Sequence, residues 1–171
     1  MGGSILENLK SIYFTSKKNF IKCFLLQEHE YSIYRFVKAL RKEEFAKNGL
    51  LKKIYRRRKN IIGRKLGFTI PANVFDEGLH IWHYGNIVVN GNAKVGKNCI
   101  LHGDNCIGND GKSEGAPKIG NNVDIGVGAK IIGNVEIADD VTIGAGAVVV
   151  SSFKTKGVTI VGIPAREVKK E

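Results

Sequence analysis

Two histidines, His83 and His102, are the side chains of this sequence best suited to acid–base chemistry. A neutral imidazole can take a proton from a hydroxyl group, and its unperturbed pKa of ~6.5 suits that transfer near neutral pH. His80 stands two residues before Trp82, and we expect it to be structural or exposed. The sequence therefore offers one or two candidate general bases, provided that the fold holds their rings on an outer surface.

Metal chemistry has no comparable signal. The three cysteines, Cys23, Cys99 and Cys106, form no C-x-x-C pair, and no secretory signal precedes them. We therefore expect free thiols in a reducing cytoplasm and no metal site.

The chain that must position the two histidines has a period of six residues. An aliphatic side chain recurs at Val95, Leu101, Ile107, Ile119, Ile125, Ile131, Ile137, Ile143 and Val149. Three short strands per turn of a triangular coil would stack these side chains inside it, whereas a helix would require a period near ~3.6. The repeat predicts a mainly β fold, a parallel β-helix.

The six-residue register lacks an aliphatic residue at 113, and residues 109–115 are polar and glycine-rich. We expect this stretch to leave the coil as an outward loop. Such loops often carry binding residues, so Asn109 is a candidate contact for a substrate, although a plain surface loop explains it equally well.

The position of His83 depends on the register before Val95. Counting back in sixes from Val95 gives Val89 and then His83, which would point the imidazole into the core. If Ile81 and Ile87 are the inward residues and two residues bulge out before Val95, His83 faces outward. We favour the second register because it buries two isoleucines instead of an imidazole.

The first part of the chain has a different composition. Residues 1–66 hold 17 Lys and Arg against 5 Asp and Glu, whereas residues 67–171 hold 10 against 11. Apolar residues at helical spacing predict a basic helical segment over 1–66, joined near Gly67 to a β-helix domain with a C-terminal extension over 67–171. So small a segment buries too little apolar area alone, so we expect it to dock on the coil or on a partner.

The basic run Arg56 to Lys59 could bind phosphate, an anionic lipid surface or RNA, although a solvated helix face is the simpler interpretation. Aromatic residues are not interleaved densely enough to predict nucleic-acid binding. No apolar stretch approaches the ~20 residues of a membrane span, so we expect a cytoplasmic protein.

The coil resembles the bacterial hexapeptide-repeat acyltransferases, and in particular the serine acetyltransferase-like branch associated with capsular polysaccharide O-acetylation. The similarity covers about residues 66–168 and is carried by the repeat and by residues 83–89 (HYGNIVV), 117–120 (PKIG), 125–130 (IGVGAK) and 162–166 (GIPAR). The resemblance implies a left-handed β-helix, a homotrimer, acetyl-CoA as co-substrate and no metal. Contact with a membrane-linked saccharide is a further possibility.

The resemblance also implies functional residues. His83 matches the position of the family's catalytic histidine, and His102, one coil further on, could face the same groove. The positions that match the acetyl-CoA contacts are Val127, Gly128, Ala129, Ala145, Gly146, Arg166 and Lys169.

The sequence departs from the serine acetyltransferase pattern at three places that affect which acceptor we expect. The acid that orients the family's histidine would fall near Phe68, and the acid directly before the histidine is Trp82 here. The Arg-His pair that helps bind the amino acid's carboxylate would fall at Gly115 and Ala116. Because Trp82 and Tyr84 suit the apolar face of a sugar ring, a saccharide hydroxyl is the acceptor that we expect, with serine as the alternative. Asp76 or Glu77 could orient His83.

Two other classes of function remain. A coil of this kind can host a carbonic-anhydrase-like metal enzyme, but that enzyme needs two histidines five residues apart, and the residue five after His102 is Ile107. A non-catalytic scaffold is the other alternative, in which His83 would matter only for folding.

Overall fold

A computed structural model describes residues 2–112 and 114–168, with side chains from residue 8 onward. Four helices come first: α1 (Gly2–Tyr13), α2 (Lys17–Leu25), α3 (His29–Phe45) and α4 (Gly49–Leu66). Their starts follow capping chemistry, since the Ser16 hydroxyl accepts a hydrogen bond from the Asn19 amide and the Asn48 side chain accepts one from the Leu50 amide. The helical segment predicted over 1–66 thus ends at Leu66.

Fourteen short strands follow among the described residues. They are β1 (Phe68–Thr69), β2 (His80–Ile81), β3 (Ile87–Val89), β4 (Lys94–Val95), β5 (Ile100–Leu101), β6 (Cys106–Gly108), β7 (Lys118–Ile119), β8 (Asp124–Ile125), β9 (Lys130–Ile132), β10 (Glu136–Ile137), β11 (Thr142–Ile143), β12 (Val148–Val149), β13 (Thr159–Gly162) and β14 (Ala165–Glu167).

The strands form the three faces of a prism. A five-stranded sheet has the order β1-β3-β6-β9-β12, a three-stranded sheet β10-β7-β4, and a six-stranded sheet β14-β13-β11-β8-β5-β2. All neighbours pair in parallel except β13 and β14, which are antiparallel. This parallel arrangement is the β-helix that the six-residue repeat predicts.

The aliphatic repeat forms the core of the prism. All nine repeat positions from Val95 to Val149 are buried, and in each sheet they pair in register, as Leu101 does with Ile125 and Ile125 with Ile143. Residues 109–117 leave the coil between β6 and β7, where the repeat is interrupted. The core prediction is confirmed.

The outward register of His83 is also found. Ile81 and Ile87 are buried and His83 is exposed. Val89 is buried as well. The two residues that exceed the six-residue register before Val95 therefore lie within β3, where Ile87 pairs with Phe68 and Val89 pairs with Ile107.

The helices pack on the first coil. The guanidinium of Arg41 on α3 donates hydrogen bonds to the carbonyls of Phe75 (2.7 Å) and Asp76, and it pairs with Glu44 at 2.8 Å. The Phe36 ring packs edge-on against Phe68 on β1, with ring centroids 5.1 Å apart. The expected docking of the helical segment therefore occurs on the chain's own coil, and both parts share one apolar core.

None of the helices in the described part of the chain is long and apolar enough to cross a membrane.

Candidate active site on the histidine corner

The two candidate histidines lie on one edge of the prism, where the six-stranded sheet turns into the five-stranded sheet. Ile81, Leu101, Ile125 and Ile143 pair in register, so the three residues after each of them stack on the same edge. We call this edge the histidine corner, and it comprises residues 82–84, 102–104, 126–128 and 144–146. Backbone hydrogen bonds connect its layers; for example, the Gly128 amide donates to the Gly103 carbonyl (2.9 Å).

His83 is held directly above Gly103 of the next coil. A methyl group placed on Gly103 would lie 3.4 Å from Cβ of His83, and the φ angle of Gly103 is +114°, which strongly favours glycine. The backbone below His83 is therefore free of a side chain that would change the direction of the imidazole.

His102 has a carboxylate partner. Its Nε2 lies 2.8 Å from Oδ1 of Asp124, at the start of β8. In a neutral imidazole, a carboxylate that accepts a hydrogen bond from one ring nitrogen fixes the tautomer, so that the other nitrogen is the acceptor. Sequence reasoning missed Asp124, although an outward-facing acid just before the inward Ile125 was a usable signal.

The indole of Trp82 lies between two imidazoles. Its ring centroid is 6.0 Å from that of His102 and 4.9 Å from that of His80, and both contacts are nearly parallel. His80 is half-buried against Tyr13, and burial, with a smaller contribution from His102, lowers its pKa. His80 is thus a structural neighbour, as expected from the sequence, and Trp82 remains 47% exposed.

A further histidine reaches the corner from the helices. The ring of His29, the first residue of α3, lies 5.7 Å from the ring of His83 and 6.3 Å from that of Tyr84. Its Nδ1 lies 3.5 Å from Oε2 of Glu30. No sequence pattern indicated this approach, because it depends on how α3 packs against the coil.

The acids proposed to orient His83 lie elsewhere. Asp76 and Glu77 precede β2 at another edge of the prism, and the Glu77 carboxylate binds Nζ of Lys97 at 2.6 Å. That prediction is wrong for Glu77. Within the described part of the chain, no carboxylate lies within salt-bridge distance of His83.

The positions matched to acetyl-CoA contacts separate into groups. Val127, Ala145 and Gly146 are exposed on the histidine corner, with Gly128 partly exposed beside them. Ala129 is fully buried, so its side chain cannot line an outer groove, and that expectation is wrong. Arg166 is exposed on β14, at the far side of the six-stranded sheet, and Lys169 lies outside the described residues.

The candidate acceptor-binding residues also lie in two different places. Trp82 and the 61% exposed Tyr84 flank His83 on the histidine corner. Asn109 is exposed in the loop between β6 and β7, at the edge where the five-stranded sheet meets the three-stranded sheet. The single chain therefore does not bring Asn109 to the histidine corner.

Comparison with known proteins shows which proteins this chain is similar to. Residues 116–151 match the family model described as bacterial transferase hexapeptide (six repeats). The part of the chain that matches this repeat model is therefore residues 116–151. This hexapeptide-repeat chain is 34% identical to a serine acetyltransferase of Staphylococcus epidermidis over 130 residues, which are 70% of the chain and 61% of the relative. It thus spans about three fifths of that relative's length.

Solved structures agree with the fold. A serine acetyltransferase of Neisseria gonorrhoeae superposes with a TM-score of 0.73 at 28% identity, covering 98% of this hexapeptide-repeat chain and 67% of the other. A serine acetyltransferase in complex with CoA superposes with a TM-score of 0.68 at 25% identity, covering 80% and 57%. These homologues support the serine acetyltransferase side of the resemblance and give no support to the polysaccharide branch.

Proposed function

We propose that this chain is an O-acetyltransferase that transfers an acetyl group from acetyl-CoA to a hydroxyl group. The observation that carries the proposal is the exposed imidazole of His83, held above Gly103 on the same edge as the small residues Ala145 and Gly146. The similarity to a serine acetyltransferase in complex with CoA supports acetyl-CoA as the donor.

His83 acts as the general base in this proposal. Its imidazole takes the proton of the acceptor hydroxyl while that oxygen attacks the carbonyl carbon of the thioester. The C–S bond then breaks, the acetyl group stays on the acceptor oxygen, and the imidazolium returns the proton to the departing thiolate. Protons therefore balance without any other group.

His102 has a supporting role. Asp124 accepts a hydrogen bond from Nε2–H of His102, and in the neutral ring this leaves Nδ1 as a hydrogen-bond acceptor. From the neighbouring coil this nitrogen can orient the acceptor hydroxyl toward His83. The stacked indole of Trp82 holds the plane of the His102 ring.

The small residues of the histidine corner leave room for the donor. Val127, Ala145 and Gly146 follow the edge away from His83, and Arg166 lies three strands beyond β8 in the same sheet. At a strand spacing of ~4.8 Å, Arg166 lies roughly 24 Å from the level of β2, so a long, extended donor could place its thioester at His83 and its phosphates at Arg166.

L-Serine is the acceptor that the comparisons favour, because the similar sequences and solved structures are serine acetyltransferases. A saccharide hydroxyl is the second candidate, and a specific observation favours it. Trp82 and Tyr84 are exposed beside His83, where an aromatic face can pack against a sugar ring. Positions 115 and 116 lack the Arg-His pair that the resemblance predicts for the carboxylate of a bound amino acid.

We further propose a homotrimer, with the open histidine corner covered by a neighbouring subunit. Size-exclusion chromatography with light scattering measures this directly, and three times the chain mass of 18.7 kDa is the expected result.

The decisive assay follows free thiol release from acetyl-CoA with L-serine and with a panel of mono- and disaccharides. The wild type is compared with His83→Ala, and the melting temperature of each variant is recorded. Acceptor-dependent release that His83→Ala abolishes without lowering the melting temperature supports the proposal, and the active acceptor decides between the candidates. If no acceptor stimulates release and acetyl-CoA does not bind, the proposal fails.

A further inference from the structure

The helical segment exposes aliphatic side chains among basic ones. At the C-terminal end of α2, Leu25 is 69% exposed and the following Leu26 is 64% exposed. Ile21 and Phe24 are also exposed. Lys17, Lys18 and Lys22 lie on the same short helix. A helix that presents apolar groups between lysines has the character of an interfacial helix.

A basic groove lies between α2, α3 and α4. Its walls include Arg35, Lys38 and Lys42 from α3 and Arg58 from α4, with Phe20 from α2 at one side. The α3 cations stand over aromatic rings, such as Lys38 over Tyr34 at 5.4 Å. Within the described part of the chain, none of the four cations has a carboxylate within salt-bridge distance.

The acidic residues of the helices are already engaged elsewhere. Among the described side chains of this segment, Glu43 binds Arg56 and Lys59, Glu44 binds Arg41, Glu28 binds Lys22, and Glu30 contacts His29. The groove cations are therefore not neutralised by these four carboxylates. Residues 1–66 keep a net charge of +12, while the remaining chain is nearly neutral.

The apolar surface and the groove are continuous. The exposed Phe24 packs edge-on against Tyr31, with ring centroids 5.2 Å apart, and Tyr31 lines the groove. A single ligand can thus meet both features at once.

We propose that this surface binds an anionic lipid bilayer, with Phe24, Leu25 and Leu26 in the headgroup region and lipid phosphates in the basic groove. Charge decides against a second copy of the same surface, because two such surfaces would repel each other. RNA would call for exposed aromatic faces to stack bases, whereas the most exposed apolar groups here are leucines. A free phosphate would leave those leucines without a role.

Co-sedimentation with lipid vesicles tests the proposal independently of any acetyl transfer. The full chain is mixed with vesicles of phosphatidylcholine alone and with vesicles of equal parts phosphatidylcholine and phosphatidylglycerol. We expect binding only to the second kind, and release when the salt concentration rises to molar values, because screening weakens the attraction. Inorganic phosphate at millimolar concentration should compete weakly, since it cannot replace the apolar contact.

Two double variants separate the parts of the surface. Leu25→Ser with Leu26→Ser removes the apolar contact, and Lys38→Gln with Lys42→Gln removes two groove charges. Each should lower the fraction bound by about tenfold. The matched control, Lys112→Gln with Lys154→Gln, removes the same charge from loops of the β-helix domain, away from the helices, and should bind as the wild type does. Melting temperatures confirm that all variants fold.

Several results would overturn the proposal. They are equal binding to neutral and anionic vesicles, unchanged binding of both double variants, and full competition by inorganic phosphate. A change of oligomeric state in Leu25→Ser/Leu26→Ser without any vesicle binding would instead assign the surface to a contact between copies, and tight RNA binding without vesicle binding would assign it to nucleic acid.

Discussion

Nε2 of His102 and Oδ1 of Asp124 lie 2.8 Å apart, on neighbouring coils of the β-helix and beside the exposed indole of Trp82. The pair connects two residues 22 positions apart in sequence. Its geometry makes His102 the better oriented imidazole of the corner, while His83 is the more accessible one. The two histidines thus differ in orientation and in exposure, and separate variants can test the role of each.

Asp124→Asn tests the orientation of His102. An amide can donate a hydrogen bond to the ring and so favour the other tautomer, and we expect kcat to fall by about tenfold to a hundredfold. KM should change less than kcat, and the melting temperature should stay that of the wild type, which loss of packing alone would not allow. Asp140→Asn, which alters an exposed carboxylate paired with Lys156, serves as the control. An unchanged kcat in Asp124→Asn would contradict the assigned role.

Gly103→Ala tests whether the space next to Gly103 positions the His83 side chain. The added methyl group would stand 3.4 Å from Cβ of His83, and alanine disfavours a φ of +114°. We expect about 1–2 kcal/mol lower stability and a larger loss of activity than stability explains. Gly157→Ala, at φ +73° with no atom within 4 Å of the new methyl group, shows the effect of alanine at a positive φ without a new contact. Equal activity in the two variants would show that the space above Gly103 is not needed.

Arg41→Met tests the attachment of the helices to the coil. The change removes hydrogen bonds to the carbonyls of Phe75 and Asp76 and leaves the nearly buried carboxylate of Glu44 without its cation. We expect the free energy of unfolding to drop by about 3–5 kcal/mol, measured by urea denaturation. The exposed Arg57→Met should change it by less than about 0.5 kcal/mol. A small effect at position 41 would mean that packing alone holds the helices.

Acid should destabilise the fold in two stages. Because burial lowers the pKa of His80, its neutral form is favoured in the folded state. Its contribution is complete above the unfolded pKa of ~6.5 and is lost as pH falls through the folded value. Burial alone would raise the pKa of Glu43, but hydrogen bonds from Arg56 and Lys59 outweigh it and lower that pKa, so the contribution of Glu43 is lost only below its ordinary value of about 4.5.

Melting temperatures between about pH 7.5 and pH 2.5 cover both stages, because the second loss lies below the ordinary pKa of Glu43 of 4.5. His80→Gln should remove the first loss and leave the second. If the variant follows the wild-type curve throughout, the titration of His80 does not contribute to stability.

The sequence predicted most of the coil and only part of the site, for a physical reason. The aliphatic repeat determines which side faces inward, and it therefore predicted the core, an outward loop over 109–115 and the outward His83; in the structure the loop extends to residue 117. Ala129 stands two residues before the inward Ile131 and is buried on the same side of the strand, a signal that the sequence analysis did not use. The same periodicity cannot reveal that His29 reaches His83, because that contact depends on the packing of a helix against the coil.

Arg41 and Phe36 contact the first coil, so the helices cover one end of the β-helix. In a solenoid each turn is covered by its neighbours, so the outermost turns need an end cap to keep their apolar layer from water. Helices α3 and α4 are that cap on one side, and the antiparallel pair β13–β14 interrupts the parallel order on the other. Removal of the helices would expose the apolar layer of the first turn, and we expect such a turn to associate end to end with another chain.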